Sequence, residues 1–302
     1  MPFRNRGGGE DRKQREQEQR EDIERITAGG IPKAAEERLT TLGAESGGAF
    51  TSDLSVPEFA LVRRAGLEPL TQVMGSSVYH VGWQFMGSGY FTSSQELVML
   101  SNAYNDCRRR AFDRLRHEAD LAGADAVVGV RVTAARYDWG SDLIEFQAIG
   151  TAVRAPGLRT PVGPAVTNLS GQDCALLLAA GHRPCGVIGA TSVVFGTLYT
   201  WTQGIPTSAY GAWANVEMVG ATQTWYHARR RVLEMIETDA AALGANGVVG
   251  TTWRQEERPY ETGDRLAGVT YTIHALATAI APGEPSEPAA DIASILMLSK
   301  ET

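Results

Sequence analysis

The chain has 302 residues, 43% of them hydrophobic and 21% charged, with a formal net charge of -7 and a pI near 5.4. That balance describes a globular chain with a real core and length for about two domains, and it argues against a dedicated nucleic-acid surface. No stretch of 18 or more residues is both free of charge and consistently apolar, which excludes a transmembrane helix, and three cysteines cannot form a disulfide framework, which points to a reducing cytoplasm.

The chain opens with Arg4, Arg6, Arg12 and Lys13 among many acids and no apolar core segment, so no secretory signal is expected. Residues 10–25 hold twelve charged residues, three glutamines and one apolar residue, Ile23. This is the composition of a solvated helix or a disordered arm. Ile23, Ile26, Ile31, Ala34, Ala35, Leu39 and Leu42, around Gly29-Gly30-Ile31-Pro32, then suggest a short helix–turn–helix. The segment faintly resembles the SHOCT-like oligomerisation modules of bacteria.

The rest of the chain repeats itself. At a shift of 115, Leu54-Ser55 returns as Leu169-Ser170, Ala65-Gly66 as Ala180-Gly181, Pro69 as Pro184 and Ser77-Val78 as Ser192-Val193. At a shift of 121, Arg108-Arg109-Arg110 returns as Arg229-Arg230-Arg231, and Gly123-Ala-Asp-Ala-Val-Val-Gly129 as Gly244-Ala-Asn-Gly-Val-Val-Gly250. At a shift of 127, Ala148 pairs with Ala275 and Thr151-Ala152 with Thr278-Ala279. Three blocks in one order indicate a tandem duplication.

Each copy reads α-β-α-β-β. A short helix starts near Asp53 or Ser55 with Pro57 in its first turn, and Gly66 and Gly181 end this helix in the two copies. Strands follow over 71–81 and 187–198. Long helices come next: Leu97, Leu100, Tyr104, Cys107, Ala111, Leu115 and Ala119 form one apolar stripe, and Trp225, Val232, Leu233, Ile236, Ala240 and Leu243 form the other. Gly123 and Gly244 stop them, and strands over 126–132, 143–153, 247–253 and 269–280 complete the copies. The fold class is α+β, with each long helix laid on an antiparallel sheet. Three strands make a thin sheet whose edges need a neighbour, which predicts association between copies or between chains.

The expected boundaries are a charged helical arm over 1–45, repeat 1 over 46–157, repeat 2 over 158–283, and a Pro-rich linker with a short amphipathic tail over 284–302.

Arg108-x-x-Ala111, Leu115, Glu118-Ala119, Gly123 to Val130 and Ala148 to Val153, preceded by Val73-Met-Gly-Ser-Ser-Val78, resemble the YbjQ-like family, catalogued as heavy-metal-binding. The second copy resembles it more weakly through Ala228-Arg229, Leu243 to Gly250 and Ala275 to Ala279. The resemblance implies a β-α-β-β fold similar to the dodecin subunit, pentameric rings, and a divalent heavy metal as cofactor. Five tandem chains would give ten domains as two stacked layers, and a different closed ring is the other outcome. Two departures stand out: Gly87-Ser88-Gly89 replaces a glycine pair between strand and helix, and the leading helices are additions.

Soft metals need Cys and His converging in threes or fours. The close pair here is His182-x-x-Cys185, which makes half a site. Cys107, Cys174, Cys185, His117, His182 and His274 match Ala228, Phe59, Leu70, Thr238, Leu67 and Gln147, so none of these ligands is duplicated. Phosphate loops and nucleophile elbows are absent, and no carboxylate pair is matched in a way that suggests acid–base work, so no enzyme is expected.

The charged feature kept in both copies is the arginine triplet. Arg108, Arg109, Arg229 and Arg230 are candidates for holding an anion or a partner carboxylate across a subunit interface; the blander reading is a solvated face. The aromatics after the first strands (Tyr79, Trp83, Phe85, Tyr90, Phe91; Phe195, Tyr199, Trp201) read as packing in preference to a planar-ligand cavity of the kind that holds flavin in dodecin-like assemblies. Asp291 caps an apolar segment over 291–298 that docks on its own body or on a partner protein, as does the arm over 1–45. The expectation is a cytoplasmic, non-enzymatic, ring-forming structural or scaffolding protein. The alternative is a heavy-metal or small-ligand binder with sites at subunit interfaces.

Overall fold

The computed structural model describes residues 8–44, 51–81, 94–137, 143–197, 215–262 and 265–283. Within them the fold is α+β. Helices α1 (Gly8–Thr27) and α2 (Lys33–Ala44) precede a first unit of α3 (Val56–Arg64), β1 (Glu68–His80), β2 (Gln95–Glu96), α4 (Val98–Leu121), β3 (Ala126–Tyr137) and β4 (Leu143–Arg154). After β5 (Ala165–Val166) a second unit follows: α5 (Gly171–Ala179), β6 (His182–Thr197), α6 (Val219–Ala242), β7 (Gly247–Thr262) and β8 (Arg265–Pro282). Most of the expected aromatic cluster, Gly87-Ser88-Gly89 and the tail over 291–298 lie outside the described residues.

The two units agree in their irregularities as well as in element order. Ser55 caps α3 by accepting from the Glu58 N–H, and Ser170 caps α5 by accepting from the Asp173 N–H, at matched positions. β1 slips register against β4 between Pro69 and Thr71, and β6 slips against β8 between Pro184 and Gly186. The β3–β4 pairing breaks between Val128 and Arg131, and the β7–β8 pairing between Val249 and Thr252. At those last two bulges Gly129 and Gly250 take φ of 66° and 62°, a left-handed conformation that a side chain resists.

The expected thin sheets do gain edge cover, each from a short strand outside its own unit. Sheet order is β1-β4-β3-β5 in the first and β2-β6-β8-β7 in the second. β5, from the link between units, pairs parallel with β3, and β2, from the first unit, pairs antiparallel with β6. Neither short strand was expected from the sequence.

α4 sits between the two sheets. Toward its own sheet, Val73, Leu115, Ala119, Ala148 and Ala152 form the first core, which runs on into Val187 of β6. Its backbone comes so close to β1 that a Cβ on Gly75 would overlap the Ala111 carbonyl and the Leu115 nitrogen. The arm also packs here: Ile31 and Leu39 are buried in the same core, while Arg114 donates to the Gly30 and Ile26 carbonyls and to Ser76 O.

Because the Gly75 contact is with helix backbone, no side chain can rotate away to relieve it. Gly75→Ala is expected to cost about 2–3 kcal/mol, while Gly186→Ala, which meets only the tip of Leu243, should cost less. Chemical denaturation of the two variants checks this.

Candidate functional site: the contact between the two units

α4 runs along the edge of β6 and replaces the strand that would otherwise lie there. Leu97 N–H donates to Val193 O at 2.8 Å, and Val193 N–H donates to Ser101 Oγ at 2.9 Å. One helical turn on, the Asn105 side-chain amide clamps Thr191: its Oδ1 accepts from Thr191 N–H and its Nδ2 donates to Thr191 O, both at 2.9 Å. These backbone groups need partners, and the first unit supplies them from side chains.

Arg108 lies one turn further along. It donates to Asn105 Oδ1 at 2.7 Å, to Thr191 Oγ1 at 3.4 Å and to the carbonyl of Gly189, whose missing side chain makes the room. Every one of these acceptors is neutral. Among the described residues no Asp or Glu forms an ion pair with Arg108. Burial pulls its guanidinium down to about 10, partly offset by Asp239, so it stays protonated at neutral pH.

Beside it, His274 Nδ1 lies 2.9 Å from Thr191 Oγ1, and the His274 ring meets Tyr104 edge-on. Thr191 Oγ1 already accepts from Arg108, so its own hydrogen is free to go to His274 Nδ1. That arrangement leaves the imidazole hydrogen on Nε2, a buried atom with no hydrogen-bond partner. Burial, then Arg254 and Arg108, lower the His274 pKa from 6.5 to about 3, so the ring is neutral. These groups border a cavity of about 380 Å³ between the two sheets.

The other sequence candidates sit elsewhere. Arg109 is exposed and bonded to Asp106 at 2.5 Å; Arg229 and Arg230 are exposed. Of the triplets, Arg108 alone is buried in the contact between units. Arg231 bridges Glu96 of β2 and Glu234. The residues found here that sequence reasoning did not single out are Asn105, Thr191, Arg254 and the role of His274.

The donor set does not fit a heavy metal. Cys107, Cys174 and Cys185 are buried in three different cores. Burial raises the Cys107 thiol and pushes Cys174 up to about 12, the opposite of what a thiolate ligand needs. Cys107 donates instead to Ser77 O. Cys185 packs against α6, while His182 lines a separate open pocket with its Nδ1 3.1 Å from Ala180 O. Among the described residues no three of His, Cys, Asp and Glu converge on one point.

With this fold in hand, comparison with known proteins is specific. A family model described as "Putative heavy-metal-binding", that of the YbjQ proteins, matches residues 73–156, from β1 to just past β4. The encapsulin nanocompartment protein Rv1762c of Mycobacterium tuberculosis (strain ATCC 25618 / H37Rv) is 40% identical over 230 residues, covering 74% of this chain and 84% of that protein. A UPF0145 protein of Alkaliphilus metalliredigens (strain QYMF) is 30% identical over 95 residues, covering 31% of this chain and 90% of its own length. No solved structure matches. The chain belongs to the YbjQ-like family.

His274 gives this site a pH signature. Its folded pKa lies below its unfolded value, so the unfolded chain takes up the proton first and stability falls as pH drops below 6.5 toward 3. His274→Gln removes that loss. The stability of the native protein relative to this variant should fall by about 2 kcal/mol between pH 7.5 and 5, at about 1.4 kcal/mol per unit below 6.5, read by denaturant titration at both pH values.

Proposed function

We propose that this protein is a non-enzymatic structural component that assembles head to tail, using between chains the contact that already joins its two units. One observation carries the reading. The faces that meet inside the chain recur, at matched positions and uncovered, on the opposite ends of the molecule. On β6, Val193 is 0% exposed beneath α4, and its match on β1, Val78, is 59% exposed; beside it Met74 stands where Gly189 does. On α4, Asn105 and Phe112 are each 6% exposed, and their matches on α6, Tyr226 and Leu233, are 57% and 36% exposed. Large apolar side chains gathered on two faces in this way mark interaction surfaces.

Seating the α6 face of one chain on the β1 face of the next reproduces the internal geometry. The β2 pairing, Gln95 with Phe195 and Glu96 with Val194, then becomes Val216 with His80 and Glu217 with Tyr79. Thr222 stands where Ser101 does, ready to accept from the Val78 N–H as Ser101 accepts from Val193. The contact is heterologous, so it closes into a ring or grows without limit. A closed ring is built of whole chains and holds an even number of units. Five chains would give the ten domains implied by the family's pentamers.

The relative named as an encapsulin nanocompartment protein supports an assembling role, and by extension a part in a protein compartment. On this reading the chain divides into an arm over 1–45, repeats over 46–157 and 158–283, and a tail over 284–302, with the second repeat a further copy of the family domain. The arm or the tail is the place for a separate protein partner. Three buried, unpaired cysteines and the absence, among the described residues, of a helix able to span a membrane accord with a cytoplasmic location.

Val78→Lys on one face, or Tyr226→Lys on the other, should reduce the assembly to single chains with unchanged circular dichroism. An equimolar mixture of the two variants retains one intact pair of faces and should give dimers. Light scattering after size exclusion reads all three. Monomeric native protein at 50 μM, a concentration of order 10⁻⁵ M that a specific interface should exceed, would sink the proposal.

A further inference from the structure

The cavity between the two units is charged in a way the fold does not require. Arg108, Arg131, Arg254 and His274 line it, and no acidic residue does among those described, in a chain whose net charge is -7. Two of these cations are neutralised outside the cavity: Arg131 pairs with Asp53, and Arg254 pairs with Glu256 at 3.1 Å. Arg108 has only neutral acceptors, and the one polar atom of His274 left over is a buried donor. A buried cation without a counter-charge costs several kcal/mol, and a buried N–H without an acceptor adds to that.

The second set of faces shows that assembly can dispense with these groups. At the positions matching Arg131, Arg254 and His274 the chain carries Thr252, Thr133 and Gln147, and Asp53 stands where Asn168 lines the cavity. Of the basic residues, only Arg108 has a basic match, Arg229. Arg254 and His274 therefore belong to the contact within the chain.

We infer that this cavity binds a small monocarboxylate with an apolar body. A buried guanidinium with no acid in direct contact, attracted only at longer range by Asp239 and Asp106, favours one added negative charge. A carboxylate suits it, and the buried His274 Nε2–H adds a donor. The remaining wall carries no charge and is mostly apolar, with Val130, Val132, Phe146 and Leu276 beside the neutral Asn168 and Thr252, which favours a hydrocarbon portion over a second charge. A volume of about 380 Å³ accommodates a group the size of a benzoate with room for solvent.

Because the site lies within one chain, it can be tested apart from assembly. Sodium benzoate is titrated calorimetrically into the full chain at pH 7 and constant ionic strength, with inorganic phosphate as the second probe. The expected result is saturable binding of one benzoate per chain, at least tenfold tighter than phosphate. Both His274→Gln and Arg108→Gln should weaken it at least tenfold; His274→Gln places in the site the residue found at the matched position of the first unit, and it keeps the test open if Arg108→Gln does not fold. Absence of saturable benzoate binding, affinity unchanged in a folded variant, or phosphate binding as tightly as benzoate would each overturn the assignment.

Discussion

A single helix, α4, has to satisfy two sheets at once, and most of the structure follows from how it does so. On one side its backbone touches β1, which requires Gly75; on the other it lies along β6, which requires room at Gly189. The first contact buries apolar side chains in the ordinary way of a helix on a sheet. The second is polar, because a strand edge presents N–H and carbonyl groups that cannot be left bare in an interior. Ser101, Asn105 and Arg108, spaced three and four residues apart on one helix face, meet those groups in turn. The two units are therefore joined by directional hydrogen bonds as well as by apolar area, which fixes the register between them more tightly than packing alone.

The same requirement explains the uneven exposure of the two copies. β6 is buried along nearly its whole length because α6 covers one face and the first unit, with α4 at the edge, closes the other side, whereas β1 alternates, with one face covered and one open. A chain of two such units always leaves one helix face and one sheet face without a partner. Hydrophobic residues retained on both leftover faces are hard to account for as solvent-facing positions and simple to account for as a continuation of the internal contact.

Much of this was legible in the sequence. The shifts of 115, 121 and 127 residues reappear in the paired registers: Gly75 opposite Ala148 in one sheet corresponds to Ala190 opposite Ala275 in the other. The stripe on α4, the glycine stops and the helix start near Ser55 are local signals, legible without the rest of the fold. What was not legible depends on contacts between distant segments. β2 and β5 are two-residue strands without a periodicity of their own, defined only by the strand each pairs with. Asn105 and Thr191 look like any polar residues on a helix and a strand until the two are brought together. The arginine triplet was visible, but consecutive residues point in different directions, and only the position of β6 decides that Arg108 turns inward while Arg109 meets solvent.

Comparing the two units also separates what the fold demands from what it does not. Where the copies agree, in caps, bulges and the glycines that allow them, the residues serve the fold. Where they differ within otherwise matched faces, the constraint is specific to one contact. Asn105 against Tyr226 exchanges a backbone clamp for an exposed aromatic ring, which in the proposed assembly would be covered only after folding. Arg254 and His274, against Thr133 and Gln147, go the other way and concentrate donors where a cavity remains. The internal contact is made once, at folding, so it can carry the cost of buried charge that an exposed face awaiting a partner cannot.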